Sequence, residues 1–257
     1  MRNSDNSVTT SIKGYATCLA AEKDDGASRI YSLNTLLGGG TNQGSDGTRA
    51  GTYQGLATLL SFGSGAGGCL NDAGGYFSPL LGGWFSMGAP LIGTGPTNNI
   101  TAASAITQEI WFMTTSKQGQ IMGFGENRVL PDTAPAKKGL QVFLTSSGQL
   151  DFATYNGSNE ELIPQDGINY ADGKWHQVVA VYDAGSKRLY VDGSLRASAT
   201  QQRSESFTGY WRLGYDTLDG WTNPPSGYFT GSMQYAALYT KALTAGQVRA
   251  HYLAGTH

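Results

Sequence analysis

Between Asp172 and Leu195 the chain writes out three strands in succession. The first is the apolar run of Asp172-Gly173-Lys174-Trp175-His176-Gln177-Val178-Val179-Ala180-Val181-Tyr182, and Leu189-Tyr190-Val191-Asp192-Gly193-Ser194-Leu195 follows it. Two turn signals punctuate these runs, Asp183-Ala184-Gly185-Ser186 and Asp192-Gly193, and the second is a dipeptide suited to a two-residue hairpin with positive φ. An antiparallel meander is therefore predicted at the centre of the protein. A chain built around it must find a second apolar layer to cover it.

Composition places the rest in the same class. There are 37 Gly residues and 14% charged residues among 257, and Tyr, Thr, Val and Trp fill the periodic stretches, so strands and turns are favoured over helices. No Pro-rich or charged linker divides the chain. Residues 1–14 read as a flexible lead and residues 15–257 as one β-sandwich domain. The net charge is -2 and the 17 Lys and Arg residues form no stripe, which argues against nucleic acid and anionic membrane as partners. No apolar stretch is long enough to span a bilayer. The polar opening Asn3–Thr10 reads as the remnant left after removal of an upstream segment. Cys18 and Cys69 are the only cysteines, too few for a thiolate zinc site. A single disulfide is expected, worth roughly 4 kcal/mol for a loop of that span in an oxidising compartment, with two buried thiols as the alternative.

Ahead of the meander, Cys18–Asp25 suits a short helix and Arg29–Asn34 an edge strand. From Gly38 to Gly93 the chain is Gly-rich and dominated by loops, with Leu56–Leu60 and Tyr76–Phe77 expected to supply strands to the second sheet. Its glycine runs lack the Lys-Ser or Lys-Thr of a phosphate-cradling loop. Thr107–Thr115 alternates Ile110 and Phe112 with Trp111 and Met113, so both faces are apolar and the strand is central. Leu140–Leu144 and Leu150–Thr154 flank Thr145-Ser146-Ser147-Gly148 as a hairpin. Two more strands follow at Gly209–Gly214 and Gly231–Tyr239. A closing helix is capped by Thr244 with Gln247 in the capping-box position, and Val248, His251 and Tyr252 share one of its faces.

The "DGKWHxVV…LYVDG" meander, the early Cys, helix and "YxL" strand, and the "TGS…YxxALTxxQVxxHY" ending together resemble the laminin-G-like domains of the concanavalin A-like lectin and glucanase superfamily, as found in secreted actinobacterial proteins. The resemblance implies an all-β, concanavalin A-like jelly-roll sandwich of two antiparallel sheets with short terminal helices. It also implies an extracellular, secreted or cell-surface recognition module for a glycan or a cell-surface partner, part of a larger surface protein. A structural or adhesive surface protein, such as a pilus or stalk head, is the first alternative and a glycoside hydrolase the second.

Hydrolysis would need paired carboxylates, typically as Glu-x-Asp-x-x-Glu on one strand, and no such run occurs, so an enzyme is not expected. The histidines, His176, His251 and His257, are scattered, and neither Gly63-Ser64-Gly65 nor Gly44-Ser45 has a His partner for serine chemistry. Calcium is the one cofactor the resemblance suggests, held by loop oxygens. The chain departs from the family pattern there, reading Thr41-Asn42-Gln43-Gly44-Ser45-Asp46-Gly47 and Gly231-Ser232-Met233-Gln234-Tyr235, which leaves Asn42 and Asp46 as candidate ligands. The best ligand-binding candidate is the loop 215–228. Its Tyr215, Trp221 and Tyr228 rings suit sugar faces, and Asp216, Asp219 and Asn223 suit hydroxyls. The competing reading has these rings pinning a long loop to the sheet.

Overall fold

The computed structural model describes residues 24–31, 33, 42–45, 51–54, 58–60, 74–77, 84–87, 98–100, 104–126, 138–221 and 226–256. The short strands of the first half are β1 (Arg29–Tyr31), β2 (Thr52–Gln54), β3 (Thr58–Leu60), β4 (Gly74–Phe77), β5 (Trp84–Ser86) and β6 (Asn98–Ile100). Longer ones follow: β7 (Ala105–Met113), β8 (Gly119–Gly125), β9 (Lys138–Leu144), β10 (Leu150–Tyr155), the short β11 (Asn159–Glu160), β12 (Trp175–Asp183), β13 (Ser186–Val191), β14 (Ser194–Ala199), β15 (Phe207–Leu213) and β16 (Gly231–Tyr239). Helix α1 (Ala245–Thr256) closes the described chain.

Two antiparallel sheets face each other. The first runs β14-β13-β12-β7-β16-β4-β3 with β1 also on β16, and the second runs β11-β10-β9-β8-β15-β5-β2 with β6 also on β15. The meander is β12, β13 and β14. Its two turns have the positive φ expected of their sequences, with Ala184 at 49° and Gly185 at 93°, then Asp192 at 51° and Gly193 at 70°. That backbone twist matches the twist of the flanking strands, which is why two residues suffice to reverse the chain. β14 is the outermost described strand of its sheet, and its ladder slips register between Leu189 and Tyr190.

Two expectations for the front of the chain change. β3 and β4 join the meander's own sheet through β16 rather than the second sheet, because Ser232 pairs with Tyr76 and Thr58 with Tyr76 on the far side. Of the expected helix over Cys18–Asp25, Asp24 is helical, Asp25 is in a turn and residues 18–23 lie outside the described residues, as do residues 1–14 and Cys69.

Alternation then sorts the side chains. Ile110 and Phe112 of β7 and Val178 and Ala180 of β12 enter the core from the first sheet, with Leu140, Val142 and Leu144 of β9 and Phe124, Phe152, Trp211 and Leu213 opposite them on the second. Lys187 also points inward at one end of the sandwich. Its Nζ donates to the Phe152 carbonyl at 2.8 Å and the Glu160 carbonyl at 2.6 Å, and burial lowers its pKa to about 8 against the opposing pull of Asp151.

The other face of the first sheet is covered by α1. The capping box forms as the sequence specifies, with the Thr244 amide donating to Gln247 Oε1 at 2.9 Å and the Gln247 amide to Thr244 Oγ1 at 3.3 Å. Val248 packs with Ile30, Val179, Val181 and Tyr239, and the Tyr252 ring stacks on Trp111 at 5.7 Å and 12°.

Candidate functional site

The outer face of the second sheet carries the chemistry that its inner face excludes. In β9, Gln141 and Phe143 alternate with the core residues; in β10, Asp151, Ala153 and Tyr155 do the same. Register lines these residues up across strands. Phe143 lies between Gln120 of β8 and Asp151 of β10, and Gln141 lies between Gly123 and Ala153. Gly123 leaves room for the two glutamine side chains to meet, since a Cβ there would fall 2.1 Å from Gln141 Oε1 and displace it.

A polar chain crosses this face. Gln120 Nε2 donates to Gln141 Oε1 at 2.9 Å, and Gln141 Nε2 donates to Asp216 Oδ2 at 3.1 Å. Asp216 Oδ1 accepts from the Thr217 amide at 2.8 Å and faces Arg212 Nη1 at 3.5 Å. Asp151 is fully buried; its Oδ1 accepts from the Leu162 amide at 3.0 Å, while Oδ2 has no partner. Burial, reinforced by the Glu161 charge, pushes this carboxyl up to about 7.

The loop after β15 lies over these residues. Its base is fixed by a Tyr215–Tyr228 bridge and by the Phe229 amide donating to the Gly214 carbonyl at 2.9 Å. Further out, Lys138 Nζ donates to the Asp219 carbonyl at 2.8 Å and Asn159 Nδ2 donates to the Gly220 carbonyl. Leu218 and Trp221 turn down onto Phe143 and Ala153.

The candidates of this loop therefore divide. Trp221 is 6% exposed, its ring tilted 45° against Phe143 at 6.4 Å, so its faces are withdrawn from solvent. Asp216 is buried in the polar chain. Tyr215 and Tyr228 are half-buried and stack on each other at 3.8 Å and 21°, while Asp219 is exposed at the tip. Asn223 lies outside the described residues. Pinning thus describes Trp221, and solvent access describes the tyrosine pair and Asp219. Gln120, Gln141, Phe143 and Asp151 were missed by sequence reasoning. Their signal was present, because Gln141 and Asp151 interrupt otherwise apolar strands at the outward phase of the period-two pattern.

At the metal candidates, Asn42 Oδ1 accepts from the Ile30 amide at 3.0 Å and the Gly44 amide at 2.9 Å, which is the work of a turn. Asp46 lies outside the described residues. No group of three or more His, Cys, Asp or Glu side chains is placed to hold a metal among the described residues. Both described histidines are clamped between carboxylates. His176 Nδ1 faces Asp192 at 2.8 Å and Nε2 faces Asp172 at 3.1 Å; His251 Nδ1 faces Glu109 at 2.8 Å and Nε2 faces Asp25 at 2.9 Å. Burial works to lower the His176 pKa, and the Asp192 and Asp172 carboxylates outweigh it, so the net shift is upward.

Residues 92–249 match the laminin G-like family described as the concanavalin A-like lectin/glucanases superfamily. The chain belongs to this superfamily. The superfamily sandwich recurs in domain 4 of AbnA, a GH43 extracellular arabinanase from Geobacillus stearothermophilus solved with arabinotriose. It has a TM-score of 0.57 and 15% identity, covering 88% of this chain and 98% of that one. The botulinum neurotoxin serotype G binding domain follows with a TM-score of 0.55 and 13% identity, covering 88% of this chain and 50% of that one. Botulinum neurotoxin type C, whose cell entry is described as dependent on two ganglioside molecules, gives 0.56 and 11%, covering 93% and 53%. At such identities the likeness shows the fold. The chain spans about half the length of the toxin domains it matches. No curated protein matches it. No helix among the described residues is long and apolar enough to cross a membrane.

Proposed function

We propose that this domain is a non-catalytic, extracellular recognition module that binds glycans through the loop after β15. The observation that carries the reading is the Tyr215–Tyr228 pair, two half-exposed rings stacked at 3.8 Å on a hairpin base, in the same loop as the exposed Asp219. Rings held at their base lose little freedom on stacking with a sugar face, and Asp219 accepts hydroxyl hydrogen bonds at the rim. Superfamily membership and the glycan-related neighbours support this reading. Of the carboxyl groups described on the sheet face, Asp216 is already engaged by Gln141, the Thr217 amide and Arg212, which leaves Asp151 without a second free carboxylate beside it there and supports recognition without catalysis.

A glycan array probed with the purified chain, with and without a calcium chelator, tests the proposal. Selective binding that falls at least tenfold in Tyr228→Ala is expected. A chelator effect would assign calcium a part in it. Absence of binding to any glycan would sink the reading in favour of an adhesive domain that docks proteins.

A further inference from the structure

The row beneath the loop is arranged around an aromatic ring. Phe143 is flanked across the strands by Gln120 and Asp151, both 0% exposed, and Trp221 lies above it. Three polar atoms of this group have no hydrogen-bond partner: Gln120 Oε1, Asp151 Oδ2 and Trp221 Nε1. Buried polar atoms are costly to leave unpaired, so such a cluster on one small face calls for something that pairs them. An amide acceptor and a carboxyl group beside an aromatic ring, with a donor opposite, complement a neutral sugar ring. Its hydroxyls, which both donate and accept, would donate to Gln120 Oε1 and exchange a hydrogen bond with Asp151 Oδ2, its apolar face would rest on Phe143, and a hydroxyl or ring oxygen would accept from the indole.

The ring centroids stand 6.4 Å apart. A sugar between two rings needs about 7–8 Å, twice the ~3.5–4.0 Å contact distance of carbon atoms. The cover must therefore rise slightly, and its restraints at the tip are the two hydrogen bonds from Lys138 and Asn159 to the Asp219 and Gly220 carbonyls. The groups flanking Phe143, namely Gln120, Asp151 and the Trp221 indole, supply no cation, so a uronate or sialate carboxylate would lose its water there without a counter-charge.

We propose that Phe143, Gln120 and Asp151, beneath Leu218 and Trp221, form a second glycan subsite selective for neutral sugars, entered when Leu218–Trp221 lifts from the sheet. This rests on the glycan-binding reading above.

The test uses the whole chain, titrated with neutral trisaccharides and uronate-containing trisaccharides of equal length. Neutral sugars should bind at least tenfold more tightly, and Phe143→Leu and Asp151→Asn should each weaken them about tenfold. The double variant Lys138→Ala/Asn159→Ala should tighten binding several-fold by raising the open fraction. In an Ala153→Cys chain the thiol, covered by Leu218 and Trp221, should label faster once the tip bonds are removed and slower with sugar bound. If Tyr228→Ala abolishes binding while Phe143→Leu and Asp151→Asn leave it unchanged, the subsite is overturned and the glycan reading stands. Absence of binding to any sugar overturns both.

Discussion

The two sheets each cover their outer face, and they do it differently. On the first sheet a capped helix supplies the cover, Tyr252 stacks on Trp111, and the carboxylate of Glu109 accepts from Gln177 Nε2 at 2.6 Å and Tyr239 Oη at 3.1 Å and faces His251 at 2.8 Å. On the second sheet a loop supplies it, through the small cluster of Phe143, Ala153, Leu218 and Trp221, and leaves polar atoms of Gln120, Asp151 and Trp221 unpaired. A face closed by a helix with a partnered charge at its centre is built to stay shut. A face closed by a loop held at its tip by two hydrogen bonds to backbone carbonyls is the easier one to open.

The sharpest way to break this contrast is to remove the centre of the helix side. Glu109→Leu takes the shared acceptor from Gln177, Tyr239 and His251, and a buried donor left without a partner costs about 1–3 kcal/mol. Urea unfolding should show it, and a loss below about 1 kcal/mol would mean the helix side is no firmer than the loop side.

Next in size is Asp151→Asn. Its carboxyl is raised from 3.8 to about 7 in the fold, so the folded state favours the protonated acid. That stabilisation is fully present below pH 3.8 and is lost as pH rises through about 7. The Asn variant should therefore be the more stable above pH 7, by something on the order of 2–3 kcal/mol, with a flatter profile between pH 4 and 7. Equal slopes for the two proteins across that window would contradict the assignment.

Trp221→Ala should cost about 2 kcal/mol, less than a central core truncation because its cluster is small and peripheral. Hydrogen exchange should quicken in residues 215–221 and on β9 and β10 while α1 stays protected; loosening of α1 would show that the two covers are not independent.

The smallest effect is expected at the His176 clamp. His176 has a raised pKa, so its clamp contributes stability below about pH 6.5 and loses it as pH rises through the folded value. His176→Gln should lower the melting temperature by about 2–4 °C at pH 5.5, the shift of roughly 1 kcal/mol, and hardly at all at pH 9.

The parts legible in the sequence were those whose cause is local. Asp192-Gly193 specifies its own turn, Thr244 and Gln247 their own cap, and the alternation of Ile110 and Phe112 with Trp111 and Met113 a strand covered on both sides. Which sheet takes Thr58–Leu60 and Gly74–Phe77 was not legible, since strands of three or four residues carry no mark of their partner. Nor was the fate of Trp221. An indole between Gly220 and Thr222 looks the same in a binding loop and in a pinned one, and only the Phe143 ring on a distant strand decides that it turns inward. The sheet face itself was half legible, because period two places Gln141 and Asp151 outward but does not reveal that a loop will bury them.

The meander ends on β14, whose outer edge has no neighbouring strand among the described residues and whose Leu195 is 52% exposed. Such an edge is a template on which further copies could add strand upon strand. The slipped register between Leu189 and Tyr190 and the charge of Arg196 spoil that template, because a bulged, charged edge offers no straight ladder to extend. The sheet margin thereby stays open without seeding fibres.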